Sequence, residues 1–208
     1  MKYKYFDELF LRYPVLLEIK NKIMTTYELL RICNDNNGTV FMAGNGGSRA
    51  DSYHIAGELM KGFLKQRPIK QEAKDKLKLI PGGEDISDLL QEGFPAIPLG
   101  GTVLSSAISN DTGSQMEFAQ PLYVLGRKGD VLIGISTSGN AVNVCNAAIV
   151  AKAYGISVIS LTGESGGKLQ SLSDVCITVP ETDVYKVQEL HLPVYHAICA
   201  QLEEDLFD

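Results

Sequence analysis

Two hydroxyl- and glycine-bearing segments, and a few scarce histidines near carboxylates, hold the chemistry this chain can offer. Ser136-Thr137-Ser138-Gly139-Asn140 sets three hydroxyls and a glycine between an apolar run and a helical stretch. At a helix N-terminus the first backbone N–H groups have no partner and the helix dipole favours an anion, so the segment suits a phosphate. The same hydroxyls also suit a plain Ser/Thr helix cap. Asn45-Gly46-Gly47-Ser48 is the second segment, and its glycines permit a tight turn with close backbone approach to a ligand. No Gly-Lys-Ser/Thr follows either loop, so neither is a P-loop. G-x-G-x-x-G is also missing from both, so no nucleotide cofactor is expected.

His54 and Glu58 stand four apart and share one face of a helix. An imidazole and a carboxylate so placed can grip one divalent ion, act as an acid–base pair, or form an ordinary surface pair. Near the C-terminus come Gln188, Glu189, His191 and His196, so all three histidines fall on two expected helices.

The elements that must position these groups alternate. Residues 5–35 read as a leading helix, with Leu16, Ile19, Ile23, Tyr27 and Leu30 on one face and Pro14 opening its longer part. It has too little core to cover alone, which suggests packing on another subunit. Residues 39–43 form a strand, 44–48 a loop and 49–64 a helix. Residues 130–135, 136–140 and 141–154 repeat that strand–loop–helix order. Strands follow at 157–161 and 175–179, and a last helix covers 184–206. Alternation of this kind implies a parallel sheet with helices on both faces, and its ligand loops open at the carboxyl ends of the strands.

Residues 65–95 interrupt the order. From Lys61 to Lys78 there are seven Lys or Arg against Glu72 and Asp75, with Pro68, Pro81, Gly82, Gly83, Gly93 and Pro95 as punctuation. The segment reads either as a solvated surface excursion with a helical turn near 86–90, or as a basic lid over an anionic substrate.

Composition sets the outer limits. At 208 residues, 45% hydrophobic and 21% charged, the chain has the size and make-up of one globular domain. A net charge of −6 argues against general nucleic-acid binding. No apolar run approaches the length of a membrane span, and the first residues carry no signal-peptide pattern. Cys33, Cys145, Cys176 and Cys199 sit among apolar neighbours and read as reduced core residues, so a cytoplasmic setting is expected.

Taken in order, Ala43-Gly44-Asn45-Gly46-Gly47-Ser48, His54-x-x-x-Glu58-Leu59, Gly134-Ile135-Ser136-Thr137-Ser138-Gly139-Asn140, Leu161-Thr162-Gly163, and Val187-Gln188-Glu189-Leu190-His191 with His196 resemble the sugar-isomerase (SIS) domain, specifically the bacterial phosphoheptose isomerases. The resemblance spans nearly all of residues 1–208 except about 65–95. It implies one flavodoxin-like α/β domain, a homotetramer, and interconversion of sedoheptulose 7-phosphate with D-glycero-D-manno-heptose 7-phosphate through an enediol. It also implies that Ser136, Thr137 and Ser138 hold the phosphate. Asn45, Gly46, Gly47, Ser48, Asn110, Asp111 and Gln188 would line the sugar site. His54, Glu58, Gln188 and His196 would bind zinc, with Glu58 the base and His196 the acid.

Gln188 and His196 are eight residues apart, about 12 Å of rise and about 80° of rotation on a straight helix. For both to reach one ion, either Pro193 distorts the helix or a neighbouring subunit completes the set, and His191 is a spare ligand. The chain departs from the family pattern at Ala141, where another serine is usual, at Tyr185, where an acid is usual, and in the length of 65–95. Three other readings compete: a non-catalytic SIS protein such as those that bind the replication initiator, a sugar-phosphate sensor, and an isomerase of a different sugar phosphate. A sensor usually adds a DNA-binding domain, for which the leading 35 residues are too short and not basic enough.

Overall fold

The computed structural model describes residues 3–207. Five parallel strands form one sheet: β1 (Val40–Gly44), β2 (Ala96–Pro98), β3 (Val131–Ile135), β4 (Ser157–Thr162) and β5 (Val175–Thr178). Their spatial order is β2-β1-β3-β4-β5, the flavodoxin-like order, as expected. β1 and β3 are buried on both faces, which explains their unbroken apolar runs.

Alternate residues of each strand feed two cores. Val40, Met42, Ile133 and Ile135 pack with the leading helices and the C-terminal helix. Phe41, Ala43 and Leu132 pack with Phe118, Leu122, Val144, Ala147, Ala148 and Leu169 on the other side. The helices on the first face are α1 (Lys4–Arg12), α2 (Lys20–Asp35), α3 (Gly47–Met60) and α10 (Val184–Leu206). α7 (Ala119–Leu125), α8 (Val142–Ala153) and α9 (Gly167–Leu172) cover the second.

The leading helix is two helices rather than one. Tyr13 leaves helical geometry at φ −129°, ψ 71°, and a 3-10 turn over Pro14–Ile19 separates α1 from α2. Pro14 accounts for this, because its ring disfavours helical geometry at the residue before it. α3 stops at Met60 rather than at residue 64, where Lys61 turns extended at φ −148°, ψ 172°.

The 65–95 excursion contains α4 (Gln71–Lys78) and α5 (Gly83–Ser87), the latter a few residues ahead of the expected turn. A buried ion pair closes its base. Arg67 Nε donates to Glu203 Oε1 at 2.8 Å, and its other nitrogens donate to the carbonyls of Leu59 (2.8 Å) and Glu58 (2.9 Å). The strand after the excursion, β2, lies at the sheet edge, where Pro98 lacks a donor at little cost. α6 (Val103–Asp111) follows it.

Candidate functional site

The chain leaves β1 toward β2 on one side and returns in β3 on the other. The loops after β1 and β3 therefore part and leave a crevice at the carboxyl ends of the strands. A cleft of about 360 Å³ lies there, lined by Asn45, Gly46, Gly47, Ser48, Ser136, Thr137, Ser138, Ala141 and Gln188, among others. The two loops singled out in the sequence thus share one opening.

Local geometry explains both loops. Gly46 sits at φ +54°, a region costly for any side chain, and it starts α3. Gly47 leaves room for Gln188: a Cβ there would stand 2.6 Å from the Gln188 amide nitrogen. Asn45 is oriented by a reciprocal amide pair with Asn143, at 2.9 Å in each direction. Sequence reasoning missed Asn143, although it stands in the first turn of the helix that follows the hydroxyl loop.

The plain-cap reading of Ser136–Asn140 is not met. α8 begins after Ala141, and no side chain caps it through that residue. Asn143 Oδ1 takes the Val144 N–H at 3.0 Å. Ser138 turns back on its own loop, accepting from Asn140 N–H at 3.2 Å. Ser136 is buried, Thr137 half-buried and Ser138 exposed. The result is a helix N-terminus ringed by hydroxyls and open to the cleft, which suits a dianion.

Further along the same two helices, α3 and α10 bring together His54, Glu58 and His196. Their ligand atoms all lie within 4.8 Å of one another. Glu58 Oε1 is 3.0 Å from His54 Nε2 and 3.2 Å from His196 Nε2, and the two imidazole nitrogens are 3.5 Å apart. Glu58 is buried (4% exposed), yet neither of its oxygens receives a well-aligned hydrogen bond. Burial pushes its carboxyl up to about 7, while the weakly donating Cys199 thiol and Lys61 pull the other way. Burial also lowers the His196 imidazole, helped by His54 beside it. Two imidazole nitrogens converging on a poorly satisfied buried carboxylate fit a divalent ion.

The structure distributes the other expected residues differently. Gln188 packs on Gly47 and lines the cleft. α10 runs unbroken through Pro193, so the distortion considered there is not seen. His191 is no spare ligand: it is fully buried, with Nε2 3.2 Å from the Thr162 carbonyl. Burial lowers it to about 4, partly offset by that hydrogen bond. Asn110 and Asp111 end the exposed α6, where Asn110 donates to Asp111 at 2.8 Å, and they do not line the cleft of their own chain.

A family model described as SIS domain matches residues 93–163. A phosphoheptose isomerase of Aneurinibacillus thermoaerophilus is 36% identical, with 92% of this chain and 90% of that protein covered. Phosphoheptose isomerase 2 of Campylobacter jejuni is 39% identical over 91% of this chain and 81% of its own length. Among solved structures, phosphoheptose isomerase GmhA from Neisseria gonorrhoeae superposes with a TM-score of 0.72 at 30% identity, covering 98% of this chain and 93% of that one.

Proposed function

This chain belongs to the phosphoheptose isomerase family, and we propose that it interconverts sedoheptulose 7-phosphate and D-glycero-D-manno-heptose 7-phosphate. It is a sugar-phosphate isomerase, an intramolecular oxidoreductase. The observation that carries the reading is Glu58, a buried carboxylate poised near neutrality beside two imidazoles, on the helix whose first turn lines a phosphate-suited cleft.

In this reading the phosphate docks on Ser136, Thr137, Ser138 and the α8 N-terminus. Asn45, Gly46, Gly47, Ser48 and Gln188 hold the sugar along α3. Gly47 and His54 are two turns apart, about 10 Å, a span comparable with an extended seven-carbon phosphate. Glu58 removes the proton from the carbon beside the carbonyl and returns it to the neighbouring carbon, while His196 serves the oxygens. Having taken the proton, Glu58 is the carboxylic acid that returns it, so one residue serves both directions of the isomerisation.

His54, Glu58 and His196, with Gln188 as the fourth member that the resemblance implies, are the residues proposed to hold zinc. Bound there, zinc supplies Lewis-acid polarisation of sugar oxygens.

The family resemblance also proposes a homotetramer and one SIS domain over residues 1–208. Exposed Leu11, Val15, Leu17 and Ile32 on the leading helical segment support subunit packing. In such an assembly Asn110 and Asp111 serve a neighbour's cleft. Four unpaired, buried cysteines agree with a reducing, cytoplasmic setting. No helix among the described residues is long and apolar enough to cross a membrane.

The test is turnover of sedoheptulose 7-phosphate followed by NMR, with and without added zinc, on wild type and Glu58→Gln. Turnover reduced at least about 100-fold in the variant is expected. Saturable binding without turnover would transfer the activity to another sugar phosphate. Neither binding nor turnover would replace the enzyme with a non-catalytic SIS protein.

A further inference from the structure

Behind His54 lies a pair of groups that the reaction itself does not use. Tyr195, only 3% exposed and the neighbour of His196 on α10, places its hydroxyl 3.0 Å from His54 Nδ1. The same hydroxyl lies 3.2 Å from Asp51 Oδ1, one turn before His54 on α3. The rings of Tyr195 and His54 meet edge to face, with centroids 5.5 Å apart. The His54 imidazole is therefore held from behind, while its Nε2 points at Glu58 and His196.

With Asp51 ionised, the protons of these three groups run one way. An ionised carboxylate only accepts, and a phenol has one proton to give. Tyr195 therefore donates to Asp51, and its oxygen is left to accept from His54 Nδ1–H. A neutral imidazole with its proton on Nδ1 carries a lone pair on Nε2. We infer that Tyr195 is a positioning residue that, backed by Asp51, fixes His54 as the Nδ1–H tautomer so that its Nε2 lone pair is presented to a divalent cation between Glu58 and His196. The inference rests on the metal-binding reading of that triad, and it adds the group that prepares one of the ligands.

The arrangement leaves Glu58 without a donor from His54. With His54 fixed in this way, a lone pair rather than an N–H faces Glu58 Oε1 at 3.0 Å. Two electron-rich atoms at that separation repel each other unless a cation or a proton lies between them. A ligand set prepared in advance loses less freedom on binding, and partners behind metal-bound histidines commonly contribute 10- to 100-fold in affinity.

The experiment reads tautomer and affinity, neither of which depends on turnover. Long-range nitrogen–proton NMR of the metal-free wild type should show His54 protonated on Nδ1 and bare on Nε2. In Tyr195→Phe that preference should be lost. Zinc affinity, measured by competition with a chromogenic chelator, should weaken about 10- to 100-fold. Circular dichroism of the metal-free variant controls for folding, and if the variant does not fold, the wild-type tautomer alone decides. An Nε2–H tautomer in the wild type, wild-type zinc affinity in Tyr195→Phe, or no zinc binding by the wild type overturns the inference. A protein that passes these tests but leaves sedoheptulose 7-phosphate unchanged would lose the proposed substrate and keep the tautomer relay.

Discussion

Arg67 is the residue through which the 65–95 excursion should matter to the reaction. Its side chain is 1% exposed and faces Glu203 at 2%. One guanidinium nitrogen donates to the carboxylate and the others to the carbonyls of Leu59 and Glu58, in the last turn of α3. Burial alone would raise Glu203. The N–H groups of Phe63 and Leu64 together with Arg67 outweigh that and hold the carboxyl below its usual range. Arg67→Met keeps the bulk of the side chain but strips the charge and all three hydrogen bonds, leaving a buried carboxylate with only backbone donors. Breaking one side of a buried pair costs about 3–5 kcal/mol, and the near-total burial here leaves little solvent to soften the loss. For a chain of this length that corresponds to a fall in Tm of about 6–20 °C. Because Glu203 is depressed in the folded state, the stability it contributes is present above the ordinary carboxylate range and lost as pH falls through its folded value. The deficit of Arg67→Met should therefore be largest near pH 7 and shrink toward pH 3. The freed end of α3 also carries Glu58, so kcat should fall about 10- to 100-fold while KM, set at the distant phosphate loop, changes less. Differential scanning fluorimetry across pH and steady-state kinetics read these effects. A Tm within 2 °C of wild type, or an unchanged kcat, would refute the reasoning.

Ala141→Ser should raise stability by about 1 kcal/mol, because Ala141 begins α8 in extended geometry (φ −61°, ψ 115°) with no side-chain cap. If the phosphate docks there, KM should fall several-fold as well, and a rise in KM would move the phosphate elsewhere. His191, held at about 4 by burial, contributes stability that is full above pH 6.5 and lost as pH falls from 6.5 to about 4. That gap is worth about 3 kcal/mol. His191→Gln keeps a donor for the Thr162 carbonyl without the titration, so denaturant melts from pH 7 to 4 should show a shallower acid loss than wild type, and parallel losses would contradict the assignment.

The parts legible in the sequence were those governed by local periodicity and by loop chemistry. β1, β3, β4 and β5 announced themselves as apolar runs ending in glycine- or hydroxyl-bearing loops, and α10 was bounded as expected. β2 was not legible, because three residues ending in Pro98 become a strand only through pairing with Val40–Met42. α4 was hidden for a related reason, since it buries none of its residues and no apolar face marked it, while α5 lies a few residues ahead of the turn expected near 86–90. Pro14 was seen but misjudged, since its effect falls on Tyr13 and the turn after it, dividing one expected helix into two.

The site divides along the same line. His54 and Glu58 were legible because one helix turn makes them neighbours, whereas His196 reached them only through the packing of α10 on α3. Gln188 touches the Gly47 turn and His196 the metal-suited triad, and the helix between them runs through Pro193 without the break that the spacing suggested. Tyr195 had no signal in spacing at all. Its hydroxyl acquires meaning only when α3 presents Asp51 and His54 to it from across the interface. The side chains that meet a ligand were thus written in local motifs, and those that orient them were written in the contact between two helices more than a hundred residues apart in the chain.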